Sequence, residues 1–352
     1  PLIVTDKGST ELYFIKELKE LLLKANIKSD LFFDISPNPR EDEVSVGCKK
    51  YKDGSHDAII AIGGGSAMDG GKLICLTANN DIPLRDFEFE LTPPKISKDN
   101  PFPKIITIPT TAGTGAETEI TAMVTYLKEG MKFCMWHPDA RPVLALVDPE
   151  LTLGLPPSLT AWTGVDAMVH AIEGYCVPGF NPLCDGSAIE SLSLISKSLY
   201  LAVEEPKNLV ARGGMHVGSY LGGVAFLKGL GLVHAISHMV GAEFNTQHGL
   251  TNAIILPVVL RYNLSGMDEK VKRMSEAMQF EDHSIEAFIT NIEKMLDRLN
   301  IPKSLSEIGV PEDCVERIAK KAMKDQAFAT NPKIATLEEV KEMTLASIKK
   351  AR

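Results

Sequence analysis

The run Ala58-Ile59-Ile60-Ala61-Ile62 is apolar at every position and passes straight into Gly63-Gly64-Gly65-Ser66, then into a helix carrying Asp69 and Lys72. A strand with no polar face must be covered on both sides, the condition of a parallel sheet held between two helical layers. The first ~150 residues alternate strand and helix signals at the spacing of βαβ units. Leu2 to Thr5 is a short strand entering a helix near Ser9-Thr10-Glu11, whose apolar stripe is Leu12, Ile15, Leu18, Leu21 and Leu22. Leu31-Phe32-Phe33 is a second strand, stopped by Pro37-Asn38-Pro39, and Glu41-Asp42-Glu43 opens a charged helix. Lys104 to Ile108 and Val143 to Val147 supply two further strands. After Asp148-Pro149 the pattern changes, and from Ser158 helical stretches dominate, broken at Gly213-Gly214, Gly229 and Pro257. The expected architecture is an α/β domain over residues 1–153, then an all-helical domain over 154–352.

A length of 352 residues is enough for two such domains, and 44% hydrophobic with 24% charged residues is ordinary globular composition. The net charge of −9, with no basic tract to offset it, argues against nucleic acid or an anionic membrane as partner. No apolar stretch approaches the ~18 residues of a membrane-spanning helix, and the chain opens directly on Leu2-Ile3-Val4 with no signal peptide. The six cysteines (Cys48, Cys75, Cys134, Cys176, Cys184 and Cys314) form no CxxC pair, which fits reduced thiols in the cytoplasm. Cys176 and Cys184 read as buried thiols rather than ligands.

Glycines at a strand-to-helix turn let a ligand approach the backbone, and a helix N-terminus offers free N–H groups to phosphate. The turn Gly63 to Ser66 matches neither GxGxxG nor a P-loop, so a tight turn capped by Ser66 is an equal reading of that segment alone. A second loop, Pro109-Thr110-Thr111-Ala112-Gly113-Thr114-Gly115, follows another strand and is dense in hydroxyls and glycine. Two such loops at the carboxyl ends of neighbouring parallel strands form the place where open α/β sheets bind nucleotides.

In the helical half, Asp166 and His170 stand four residues apart on one helix face, and His234, His238 and His248 follow in apolar surroundings. Buried carboxylates and imidazoles need partners. One oxygen and several imidazole nitrogens suit a divalent transition metal better than calcium or magnesium. Taken singly, each of these residues is more simply a hydrogen-bonded core side chain.

Taken together and in order, Gly63-Gly64-Gly65-Ser66-Ala67-Met68-Asp69, Pro109-Thr110-Thr111-Ala112-Gly113-Thr114, Thr163-Gly164-Val165-Asp166 with His170-Ala171-Ile172-Glu173-Gly174-Tyr175, and Gly229-Leu230-Gly231-Leu232-Val233-His234 resemble the iron-containing (group III) alcohol dehydrogenases over essentially the whole chain. The resemblance implies a Rossmann-like α/β domain followed by an all-α domain, the dehydroquinate synthase-like fold, with a metal in the cleft between them. Its ligands would be Asp166, His170, His234 and His248. His238 would lie near the nicotinamide without being a ligand, as a proton relay or nicotinamide contact, with packing or support of a ligand as the alternative. Gly64, Gly65, Ser66 and Asp69 would form the pyrophosphate loop, and Thr110, Thr111 and Thr114 the second nucleotide loop. Asn38 and Lys132 match further dinucleotide contacts. Asp6 matches the acid facing the adenosine ribose, where it would repel a 2′-phosphate and favour NAD over NADP. Iron(II) is the metal the family implies, with zinc or manganese admissible. Such a metal acidifies an alcohol or polarises a carbonyl, while the cofactor carries the hydride.

The implied activity is an NAD-linked, metal-dependent oxidoreductase acting on a small alcohol or aldehyde, in a cytoplasmic homo-oligomer, commonly a dimer. Three departures qualify the match. The family carries a strand and helix before the position of Pro1. Its Phe-Ser-Asn-Ala-Gly stretch is here Phe226-Leu227-Lys228-Gly229, which places a lysine near the expected substrate, either salt-bridged or open to an anionic substrate. Lys333 replaces a frequent arginine. Two rival readings are an NAD- and metal-dependent lyase of the dehydroquinate synthase type, and a non-catalytic metal- and nucleotide-binding protein.

Overall fold

The apolar runs become strands β1 (Leu2–Asp6), β2 (Asp30–Ile35), β3 (Ala58–Gly63) and β4 (Lys104–Pro109). In the computed structural model, which describes residues 1–352, they form one parallel sheet in the order β2-β1-β3-β4. A hairpin of β5 (Thr121–Tyr126) and β6 (Met131–Trp136) forms a second, two-stranded sheet, and the short β7 (Leu144–Ala145) completes the edge beside β4.

Side chains of alternate parity leave the sheet on opposite faces. Leu2, Val4, Phe32, Ile59 and Ala61 pack with Val44, Met68, Leu73 and Ile74, while Ile3, Ile60, Ile62 and Ile108 pack with Phe14 and Ile15. The helices that cover these faces are α1 (Tyr13–Lys24) on the second, and α2 (Glu41–Asp53) and α3 (Gly65–Ala78) on the first. The wholly apolar β3 is therefore explained: both its faces are inside.

Local differences from expectation have physical causes. The first helix begins at Tyr13 and not near Ser9, because the Asp6 carboxylate accepts the Ser9 N–H at 3.1 Å and its hydroxyl at 2.8 Å, holding that stretch as a turn. Leu12 and Leu21 are exposed, so the working stripe of α1 is Ile15, Leu18 and Leu22. Of Val143 to Val147 only Leu144 and Ala145 pair with β4, at an edge where the flanking valines stay exposed. The hairpin β5–β6 was not anticipated.

These elements belong to one unit, residues 1–111 with 116–151; residues 112–115 and 152–352 make the other. The second unit contains α4 (Pro157–Cys176), α5 (Pro182–Glu204), α6 (Leu209–Ala225), α7 (Leu232–Phe244), α8 (His248–Asn263), α9 (Asp268–Ala277), α10 (Ile285–Arg298), α11 (Val315–Ala322), α12 (Gln326–Ala329) and α13 (Leu337–Lys349). Every residue from Thr163 to Cys176 in α4 and from Leu232 to Gly241 in α7 is buried, the signature of helices packed on all sides.

Neither Gly213-Gly214 nor Pro257 breaks a helix. The first pair lies inside α6 and the proline inside α8. Packing offsets the roughly 1 kcal/mol of a helical glycine and the larger penalty of an interior proline. Gly229, at φ 122°, does separate α6 and its 3-10 extension from α7. No single helix is long and apolar enough to cross a membrane. All six cysteines are free thiols.

Candidate metal centre and nucleotide loops

Helix α4 carries Asp166 and His170 on one face, α7 brings His234 in its first turn, and α8 opens with His248. One ligand atom from each of these four lies within 4.8 Å of all the others. Asp166 Oδ1 is 3.8, 3.9 and 3.7 Å from the Nε2 atoms of His170, His234 and His248. Donors held about 2.1 Å from a common tetrahedral cation stand roughly 3.4 Å apart, so this spacing fits one metal ion after a small contraction.

The opposite ring nitrogens of His170 and His234 are engaged elsewhere. His170 Nδ1 meets the Gly113 carbonyl at 3.2 Å, and His234 Nδ1 meets Glu173 Oε2 at 2.6 Å. Donating from Nδ1 leaves the Nε2 lone pair free, the arrangement that orients ligating histidines. Burial pushes the His170 imidazole down to about 4 against the pull of Asp166, so the ring is neutral at pH 7 and able to ligate.

Left to themselves these atoms are a convergence of acceptors with little to donate to them. Asn252, four residues after His248, places its Nδ2 at 2.7 Å from Asp166 Oδ1 and at 3.1 Å from Nε2 of both His234 and His248. An amide nitrogen has two hydrogens, too few for three acceptors, while Asn252 Oδ1 is buried without a hydrogen-bond partner. A cation bound among these atoms would satisfy the acceptors that the amide cannot.

His238, one turn after His234, stacks on His248 with ring centroids 5.5 Å apart. Its Nδ1 meets Asp325 Oδ2 at 2.9 Å, and Asp325 Oδ1 in turn accepts the Ala327 N–H at 2.8 Å. Glu173, Asn252 and Asp325 escaped the sequence reading. Glu173 was legible as a polar residue seven positions after Asp166 in an apolar helix, and Asn252 as one four positions after His248; Asp325 carried no such signal.

Lys228 is 6% exposed at its side chain and is bound to Asp185 Oδ1 and, at 3.5 Å, to the Tyr175 carbonyl. It caps the carboxyl end of α4 together with Lys270, whose Nζ reaches the same carbonyl at 2.6 Å.

In the first unit the dinucleotide candidates gather around the end of β3. Gly63 adopts φ 149°, and a Cβ there would lie 2.6 Å from Ala67 Cβ and 3.3 Å from Asp6 Oδ2, so the turn needs glycine. Gly64 occupies the cap position and Gly65 begins α3. Ser66 is not the cap: its hydroxyl donates to the Pro37 carbonyl, next to the buried Asn38. Thr110 N–H donates to Gly63 at 2.9 Å. Thr111 lies beside Gly64, its hydroxyl oxygen buried without a hydrogen-bond partner, an opening for a ligand oxygen at this helix N-terminus.

Asp69 and Lys132 sit differently. Asp69 Oδ2 accepts the Met123 N–H of β5 at 3.2 Å, Lys72 Nζ is 3.7 Å from Oδ1, and Lys132 on β6 is near enough to help lower the Asp69 carboxyl. Desolvation nevertheless dominates and raises it. Thr114 falls in the segment 112–115 that clusters with the helical unit.

Comparison with known proteins gives a consistent result. The family profile described as Iron-containing alcohol dehydrogenase matches residues 1–149, and that of the Fe-containing alcohol dehydrogenase family, C-terminal, matches residues 160–348. The chain is 34% identical over 349 residues to the NAD-dependent methanol dehydrogenase of Bacillus methanolicus, covering 97% of this chain and 90% of that protein. It is 35% identical over 351 residues to the lactaldehyde reductase of Escherichia coli K12, with coverage of 97% and 90%. The crystal structure of a 1,3-propanediol oxidoreductase superposes with a TM-score of 0.92 at 32% identity, over 99% of this chain and 91% of that one.

Proposed function

The chain belongs to the iron-containing alcohol dehydrogenase family, and from that premise we infer that it moves a hydride between NAD(H) and a small alcohol or its aldehyde, using a divalent metal held by Asp166, His170, His234 and His248. The observation that carries this reading is the convergence of those four donor atoms within 4.8 Å. When bound, the metal supplies Lewis acidity toward the substrate oxygen and NAD supplies the hydride carrier. Iron(II) is the metal proposed, and this N3O donor set also accepts zinc or manganese.

The chain's own residues do the rest. The neutral His170 ring, and the His234 ring held by Glu173, keep their ligating nitrogens turned toward Asp166. His238, anchored through Nδ1 by Asp325, exchanges the hydroxyl proton through its other nitrogen. Gly64, Gly65, Ser66, Thr110 and Thr111 receive the pyrophosphate, with Asn38, Asp69 and Lys132 as further contacts or supports. Asp6, beside Gly63, faces the ribose hydroxyls and disfavours a 2′-phosphate, which makes NAD the cofactor over NADP. The adjoining cavity of about 510 Å³ supports this: it is lined by Asp34, Asp42 and Glu43 against only Lys7 and Arg40.

Because Lys228 is already paired with Asp185, neutral short-chain aldehydes and alcohols are the proposed substrates rather than anionic ones. The relatives above are dehydrogenases and a reductase, and the lyase reading is not favoured. Exposed Val143, Leu144, Leu146 and Val147 along the sheet edge support a homo-oligomer, and six free thiols support a reducing compartment, the cytoplasm. The test is metal stripping and anaerobic reloading with Fe(II), followed by NADH-linked turnover on neutral and anionic aldehydes. Restored activity on neutral aldehydes supports the reading; turnover indifferent to metal overturns it.

A further inference from the structure

Glu173 lies one turn beyond His170 on α4, is 5% exposed, and divides its two oxygens between two atoms of the first turn of α7. Oε1 accepts the Val233 N–H at 2.8 Å, and Oε2 meets His234 Nδ1 at 2.6 Å. Helix α7 has no side-chain cap of its own, since Gly231 occupies that position, and Asn331 Oδ1 takes the Leu232 N–H at 3.0 Å. The approach is close: a Cβ on Gly231 would fall 2.7 Å from Glu173 Oε1 and 2.8 Å from Asn331 Oδ1.

A carboxylate oxygen only accepts, so the contact at Oε2 selects the His234 tautomer with its proton on Nδ1. Nε2 is then the lone-pair nitrogen, and it faces Asp166 Oδ1 at 3.9 Å. The same side chain therefore anchors the helix that carries His234 and sets which ring nitrogen points at the cation. We propose that Glu173 is the positioning residue of the metal centre, fixing the tautomer and orientation of His234 and so setting metal affinity without being a ligand. This rests on the metal-centre reading above.

Glu173→Gln keeps the shape but offers one acceptor and one donor to the two α7 atoms. If its oxygen keeps the Val233 N–H, its NH₂ faces His234 Nδ1 and drives the ring proton to Nε2, the ligating atom. If the amide flips, two N–H groups face each other. The experiment titrates the metal-free full-length chain with Co(II) against a competing chelator, recording affinity and the visible ligand-field spectrum. Wild type, Glu173→Gln and Asn331→Ala are compared, the last removing an α7 anchor without touching His234.

Wild type is expected to give a saturable spectrum. Glu173→Gln should lose about 10- to 100-fold in affinity with an altered spectrum, while Asn331→Ala stays within about threefold. Wild-type affinity and spectrum in Glu173→Gln, or equal loss in both variants, overturn the proposal while leaving the metal centre intact. Absence of Co(II) binding by wild type overturns both. Long-range ¹H–¹⁵N histidine spectra of the metal-free wild type supply a measurement free of folding effects: an Nδ1–H tautomer is expected at His234, and an Nε2–H tautomer contradicts the role.

Discussion

At the residue scale, what decides each side chain's work is which partner it already has. Lys228 illustrates this: its sequence position invited a substrate-anion role, but Asp185 and the Tyr175 carbonyl occupy it. Lys228→Met is expected to lower unfolding stability by roughly 1–3 kcal/mol, below the full penalty for breaking a buried pair because Asp185 is partly exposed. It should leave the ratio of kcat/KM for anionic and neutral aldehydes unchanged; denaturant midpoints and that ratio check both halves, and a selective loss on anionic aldehydes would return the lysine to the substrate. Asp6→Gly is expected to relax the preference for NAD over NADP, and an unchanged ratio of kcat/KM for the two cofactors removes Asp6 from the ribose. The metal-ligand candidates were legible because Asp166 and His170 share a helical spacing and the other histidines interrupt apolar runs. Glu173 and Asn252 carried the same kind of signal, but their pairing with particular imidazoles did not, because which buried polar group meets which ring is settled by the packing of α4 and α7 on α8.

At the scale of elements, β1 to β4 were readable because strands covered on both faces concentrate apolar residues. The hairpin β5–β6 was missed although a signal existed: two six-residue runs rich in β-formers separated by Leu127-Lys128-Glu129-Gly130, with Gly130 at φ 57°. Its role also reinterprets neighbouring groups, since Lys72 Nζ donates to the Thr121 carbonyl at 2.7 Å and Asp69 accepts from Met123. Beside it, Glu119 accepts the Thr121 hydroxyl at 2.8 Å with one oxygen and leaves the other buried without a hydrogen-bond partner. Burial, only partly countered by Lys72, pushes this carboxyl up to about 8. The folded state thus holds a proton that the unfolded chain releases near its ordinary value of 4.5. Stability from this group is complete below that pH and is lost as pH rises toward 8. Glu119→Gln should flatten the decline in Tm between pH 5 and pH 8; a parallel decline in the variant would show that another group sets it.

At the scale of the whole molecule, the sequence divides where its periodicity changes, and each of the two units builds its own chemistry from adjacent elements. The β3–α3 turn gathers glycine, hydroxyl and acid in the first, and three helices gather the four candidate metal donors in the second. The segment 112–115, sequentially part of the hydroxyl- and glycine-rich loop after β4, lends its Gly113 carbonyl to His170. No local pattern announces such a loan, because a backbone carbonyl has no sequence identity. The central claim is that Asp166, His170, His234 and His248 hold one catalytic cation. It is tested most directly by metal content per chain, together with NAD-linked alcohol oxidation, in wild type and His248→Ala after anaerobic reconstitution with Fe(II). The account predicts about one ion per chain with turnover in wild type, and joint loss of both in the variant. Full metal occupancy in His248→Ala would contradict it.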